Sequence, residues 1–325
     1  MFEMTVQDGK LFHTKKGKPV ELPEPLAPLA DTHTHLTGLH DHNAPMAIAR
    51  AKAAGVHLMV VPLDPTDDAS NAIMFLTKFS IWQTRAEALE RDLMSDHVHF
   101  AEFDEPVKYN LPKQVRMICG THPYGAPKHD DNATNQMKVL FTDNRCIGVG
   151  EIGLDYNCDV DHDIQKEVFR QQLAIARERH LPVELHIRDA KGDEKAQAHA
   201  DAIEILKQDK YPEEGCILHC FTQGVDVMQP FVDLGCYIAF GGASTFKNSD
   251  EIREAVAACP EHLILSETDA PYMAPHPLRG QECEPAMVAL VAANIAQVRE
   301  DAGVNTKQQS YDALWNNACR VFNHA

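Results

Sequence analysis

The stretch "LADTHTHLTGLHDH", residues 29–42, starts like a β-strand and ends in a cluster of imidazoles. On a strand, His33 and His35 stand at i and i+2, so both point to one side with Cα atoms about 7 Å apart. A strand buried in a parallel sheet reads as apolar, and an ionisable group inside it is costly unless it is paired or holds a metal. An isolated H-x-H pair fits a satisfied surface pair as well as it fits metal ligands. Its meaning depends on whether other strands end the same way.

They do. Strand-like runs at 29–36, 57–62, 115–121, 146–152, 182–187, 215–220, 236–240 and 263–268 alternate with amphipathic helical stretches. "APMAIARAKAAG" (44–55) repeats small and apolar residues at helical spacing and ends on Gly55. "DIQKEVFRQQLAIARERH" (163–180) places Ile164, Val168, Leu173 and Ile175 near one stripe, and "DEIREAVAACP" (250–260) stops at a proline. Eight strands each followed by a helix is the pattern of an α/β protein of the (β/α)₈ TIM-barrel type. The alternative, a doubly wound open sheet, lacks its usual support, because no G-x-G-x-x-G or P-loop pattern follows any strand. Residues 64–114 are too long for one helix and a turn. They predict a helix over about 68–95 and an irregular insertion around 97–112, after the second strand. The chain is expected to be one domain, 1–325, with a barrel core at 28–325 and an N-terminal extension at 1–27.

The strand ends carry His33 and His35, His122, Glu151, His186 with Arg188, His219 and Asp269, whereas the second run (57–62) and the seventh (236–240) carry none at their C-terminal ends. In a barrel these carboxyl ends form the active-site face. The order, H-x-H on the first strand, Glu on the fourth, His on the fifth and sixth and Asp on the eighth, is too regular for chance.

Composition narrows the classes. The net charge of −18 disfavours a broad duplex-binding face, so a phosphate substrate would need a local positive centre such as a metal pair. No apolar run approaches a membrane span, and the first residues lack a signal-peptide core, so the cytoplasm is the expected location. Nine cysteines without a C-x-x-C pair read as small buried hydrophobes kept reduced.

The ligand order is that of the amidohydrolase-like metal barrels, and the local wording narrows it. The segments "DTHTHL", "GTHPYGA", "GEIGLDY", "LHIRDA", "ILHCFTQG", "TFKNSDEIR" and "SETDAPYMAPHPLRGQECEP", from residue 31 to about 285, closely resemble the TatD-type metal-dependent deoxyribonucleases. The resemblance implies that two divalent cations are bound. His33, His35 and Asp269 would hold one, His186 and His219 the other, and Glu151 would bridge them. It further implies that His122 contacts substrate phosphate or a water at the metals, and that Asp269 accepts a proton. Arg188 and Lys247 would clamp phosphate oxygens, with Thr222 adding a hydroxyl. The expected catalytic set is then Glu151, Asp269 and His122.

The implied activity is phosphodiester hydrolysis on single-stranded DNA ends, with RNA as the other substrate class, and 3′-to-5′ polarity comes from the resemblance alone. No membrane or obligate protein partner is implied. Imidazole-rich ligands favour Zn, Mn, Fe or Co over Mg, whereas the family is described as magnesium-dependent, so the two arguments disagree about the metal.

Each secondary residue has a plainer reading beside the functional one. Arg188 would otherwise pair with a core carboxylate such as Glu267, Lys247 would be a solvated loop lysine, and Thr222 would stabilise a turn. Glu267, two residues before Asp269, suits a supporting hydrogen bond, whereas Asp155 and Tyr156 stay unassigned. His40 and His42 read as loop residues, with Asp41 or Asn43 capping the following helix. Two rival functions stand beside the nuclease: hydrolysis of a small phosphoester, lactone or amide at the same site, and a non-catalytic binding protein on a barrel scaffold. A decayed site would have lost a ligand, and this sequence has kept all six.

Overall fold

The computed structural model describes residues 8–40, 43–103 and 115–322. A short antiparallel hairpin, β1 (Phe12–His13) and β2 (Pro19–Val20), leads into β3 (Leu29–Asp31). Strand and helix then alternate through α1 (Ala44–Ala53), β4 (Val56–Leu63), α2 (Ala72–Ser95), β5 (Val115–Cys119) and α3 (Asp131–Leu140). The second half continues with β6 (Val149–Asp155), α4 (His162–Arg179), β7 (Val183–Arg188), α5 (Gln197–Asp209) and β8 (Cys216–Leu218). It closes with α6 (Val225–Asp233), β9 (Tyr237–Phe240), α7 (Asp250–Ala258), β10 (Ile264–Ser266), α8 (Val288–Asp301) and α9 (Lys307–Phe322).

All pairings among β3 to β10 are parallel, in two runs, β3-β4-β5 and β6-β7-β8-β9-β10. Single hydrogen bonds stitch the two seams between them. At one, Met117 N–H donates to the Arg145 carbonyl at 2.8 Å and Cys119 N–H to that of Gly148 at 3.1 Å. At the other, Thr32 N–H donates to Ser266 at 3.2 Å, Asp269 N–H to His33 at 3.0 Å and His35 N–H to Ala270 at 2.7 Å. Asp31, fully buried, locks this second seam by accepting from the Thr268 backbone at 2.8 Å and its hydroxyl at 2.6 Å. The strands therefore form a ring of TIM-barrel type, and the residues on either side of the Asp31 seam are the ones that carry His33, His35 and Asp269.

Local chemistry explains the element ends. Asn43 accepts from Met46 N–H at 2.9 Å to cap α1, and Gly55, at φ +87°, supplies the left-handed residue that ends it. The run "VHLMVVPL" buries seven of its eight residues as β4. Each buried Val or Leu contributes about 1.5–3 kcal/mol, which fixes this strand inside the ring whatever the propensity of its neighbours.

Three expectations need correction. The fourth strand of the ring, expected at 146–152, runs Val149–Asp155, because its register against β7 shifts between Val149 and Ile152. The stripe on α4 excludes Ile164, which is 43% exposed. Gln165 and Gln172 are buried instead, because strand-end backbone needs partners: they accept from Asp155 N–H at 2.7 Å and Thr121 N–H at 2.6 Å. Finally, α2 begins at Ala72 rather than 68, capped by Asn71, since residues 64–68 form a turn closed by Asp64 and Asp68.

The later part of the expected insertion, 104–114, lies outside the described residues, as do Asp41 and His42. α2 and the turn after it pack against α1 through Ala49, Ala53, Leu93 and Val98 and a 2.6 Å Lys52–Glu90 ion pair. All nine cysteines are free thiols, seven of them buried. No helix among the described residues is long and apolar enough to cross a membrane.

Candidate metal centre

Glu151 sits inside the ring end with an imidazole nitrogen on nearly every side. Its Oε2 lies 3.0 Å from His219 Nε2, 3.5 Å from His33 Nε2 and 3.5 Å from His186 Nδ1. Its Oε1 lies 3.7 Å from His122 Nε2 and 3.9 Å from His35 Nε2. Asp269 closes the group, with Oδ1 3.5 Å from His35 Nε2 and 3.8 Å from His33 Nε2. Glu151 and His186 lie on β6 and β7, and the segments just after β3, β5, β8 and β10 supply His33 and His35, His122, His219 and Asp269. The backbone at Asp269 has φ +54° and that at Cys220 +48°, left-handed values that cost a non-glycine residue energy and aim the neighbouring side chains into the site.

The donor set fits divalent cations. His33 Nε2 and His35 Nε2 face each other at 3.1 Å, and His219 Nε2 faces His186 Nδ1 at 3.5 Å. Each pair of lone-pair nitrogens can share at most one proton, whereas a cation satisfies both. Three groupings bring donors within 4.8 Å of one another: His33, His35 and Glu151; His33, His219 and Asp269; and His122, Glu151 and His186. The six expected ligands thus meet in one place, but His219 stacks on His33 at 3.9 Å between ring centroids, so the geometry does not sort the six into two separate trios.

Supporting hydrogen bonds decide which nitrogen of each ring is free. Glu184 Oε1 lies 2.5 Å from His33 Nδ1, leaving Nε2 for the site. Asp155 Oδ2 lies 3.1 Å from His186 Nε2, leaving Nδ1. Glu267 Oε1 lies 3.6 Å from His219 Nδ1 while accepting from Cys220 N–H at 2.6 Å. Carboxylate–imidazole pairs of this kind orient a metal-binding ring and raise its basicity.

His122 differs. Its Nδ1 accepts from the Tyr124 backbone N–H at 3.1 Å, so the neutral ring carries its proton on Nε2, the atom that faces Glu151. That ring is a hydrogen-bond donor, and using it as a ligand would set its Nδ1–H against the Tyr124 N–H. Asp64 Oδ2 holds the His122 backbone N–H at 3.1 Å, which places a carboxylate just after β4, beyond the expected 57–62 run, which ends without one.

The electrostatics follow from burial and charge. Burial pushes His33 and His122 down to about 3, so both are neutral. Burial also pushes Glu151 upward, but the charge on His219 and a hydrogen bond from His186 outweigh it and hold the carboxylate well below its ordinary range. Asp269 is held low in the same way by His35 and His219. Burial lowers His219 less than Glu267 and Glu151 raise it, so it lies well above the imidazole range. A cation in the centre replaces protons on such rings.

The expected phosphate contacts are all exposed. Arg188 is 56% exposed, with Nη1 4.0 Å from Asp155 rather than from Glu267. Lys247 and Thr222 are exposed. His40 is exposed, and His99 pairs with Glu24 at 3.1 Å on the outside. Glu184 was missed in the sequence although it stands two residues before His186 on the same strand face, the same relation that marked Glu267.

A family model described as TatD related DNase matches residues 30–323. An uncharacterized metal-dependent hydrolase YabD of Bacillus subtilis is 35% identical over 230 residues, covering 68% of this chain and 84% of the relative. The uncharacterized metal-dependent hydrolase YcfH of Escherichia coli K12 is 35% identical over 209 residues, 64% of this chain and 74% of the relative. Among solved structures, the TatD homologue YJJV of E. coli K12 superposes with a TM-score of 0.71 at 25% identity, covering 92% of this chain and 99% of that one.

Proposed function

The chain belongs to the TatD-related DNase family of metal-dependent hydrolases, and from that premise we propose that it is a phosphodiesterase that trims single-stranded DNA, from the 3′ end, with two divalent cations. The observation that carries this reading is Glu151 among five imidazole nitrogens at 3.0–3.9 Å. His33, His35 and Asp269 would hold one cation, His186 and His219 the other, with Glu151 shared. Such a pair supplies Lewis acidity at a phosphoryl oxygen and a lowered pKa for water.

The chain's own groups do the rest. Asp269, ionised at neutral pH, is placed to accept a proton at its carboxylate. His122 Nε2–H donates towards a non-bridging phosphate oxygen. Arg188 at the rim offers a planar fork to the phosphate, and Lys247 and Thr222 extend that grip. These donors serve a phosphate and would be idle against a lactone or amide. The nitrogen-rich donor set favours Zn or Mn at the centre. Nine free thiols suit a reducing compartment such as the cytoplasm.

Metal analysis of the purified protein, followed by assays on end-labelled DNA and RNA with and without chelator, tests the reading. Chelator-sensitive loss of 3′ nucleotides is the expected result. Turnover of a small ester or amide panel with oligonucleotides left intact would replace it with the amidohydrolase alternative.

Glu184→Gln checks the supporting carboxylates. Gln keeps an acceptor for His33 Nδ1 but removes the charge, so metal affinity should fall about 10–100-fold by competition titration while the fold survives. Unchanged affinity would mean that Glu184 plays no part in holding the centre.

A further inference from the structure

Beside the centre, a groove of about 820 Å³ runs between the start of α1 and one face of α2. Its near wall continues the chain directly from His35, through Leu36, Thr37 and His40. Its far wall is a stripe on α2: Lys78, Trp82, Arg85 and Leu89, at i, i+4, i+7 and i+11, which share one helix face. Among the described residues lining it none is acidic, in a chain whose net charge is −18. No described carboxylate forms an ion pair with Lys78 or Arg85. Trp82 is half-buried, flanked by Phe75 and Phe79 at 6.1 and 6.3 Å, and Lys78 Nζ lies 4.8 Å from its ring centroid.

Resting on the nuclease reading above, we propose that this groove binds the single strand running away from the metal centre, with a base stacked on Trp82 and backbone phosphates at Lys78 and Arg85. An aromatic platform between cations is how strands are held without sequence readout, since every base offers a π-face and every linkage a phosphate. The Lys78 ammonium must lift from the indole to admit a base. An exposed cation–π contact is weaker than base stacking, and the freed ammonium gains a phosphate. Local positive charge beside the centre also meets the long-range repulsion that an acidic chain exerts on nucleic acid.

The test compares a dinucleotide with a single strand of about 10 nucleotides, using metal-loaded protein. Trp82→Ala and the pair Lys78→Glu with Arg85→Glu should each raise KM for the longer strand by about tenfold or more relative to KM for the dinucleotide. Arg91→Glu, a charge reversal on the same helix outside the groove, should leave that ratio alone. Fluorescence titration with a non-cleavable strand reads the groove independently of turnover, since Trp82 is half-exposed and the other tryptophan, Trp315, is buried. The expected result is quenching that Lys78→Glu with Arg85→Glu abolishes.

Strand cleavage with an unchanged KM ratio and no quenching would overturn the groove and leave the nuclease reading intact. Quenching without cleavage of any oligonucleotide would do the reverse. A dimer that dissociates on Trp82→Ala with KM unaffected would assign the face to a second copy of the chain and overturn the proposal.

Discussion

Glu151→Gln should strip the protein of both cations and of hydrolysis together, lowering turnover by roughly a thousandfold or more. The side chain keeps its shape, but it loses the charge shared by five imidazole nitrogens, and its new N–H₂ group faces rings that must offer lone pairs. Metal analysis and an end-labelled DNA assay on one preparation read both effects, and a thermal melt shows that the barrel has survived. Near-normal cleavage would remove Glu151 from the centre, and the two-cation reading with it.

His122→Asn should separate donor from ligand. Asn still caps the turn after β5, because its side-chain oxygen accepts the Tyr124 N–H that Nδ1 accepts in the native chain. It lacks the Nε2–H that points at the centre. The expected outcome is a fall in kcat of about 10²–10³-fold with metal content unchanged. Loss of one cation per chain would make His122 a ligand and contradict the tautomer that its hydrogen bond dictates.

Much of this arrangement was legible in the chain because buried parallel strands leave little room for polar residues. Charged or imidazole side chains at the ends of apolar runs therefore stand out, and the structure brings His33, His35, Glu151, His186, His219 and Asp269 together. What escaped did so for definite reasons. Glu184 lies in the middle of "LPVELHI", where an alternating strand hides one inward carboxylate. Asp155 read as a loop residue because the register shift after Val149 carries β6 three residues beyond its apolar run, which sets Asp155 opposite Arg188. The two-residue strands β1 and β2 are too short for any periodicity to show. The groove is invisible in sequence because Lys78, Trp82 and Arg85 acquire a facing wall only when α1 and the residues after β3 fold against α2.

The seam locked by Asp31 and Thr268 has a consequence for biosynthesis. A ribosome delivers His33 and His35 long before Asp269, and 234 to 237 residues separate the partners in that seam. The emerging chain therefore passes most of its translation without a complete metal centre, and a product that ends before Thr268 lacks both Asp269 and the seam that would hold it. The ligand set is complete only when the last staves of the barrel meet the first.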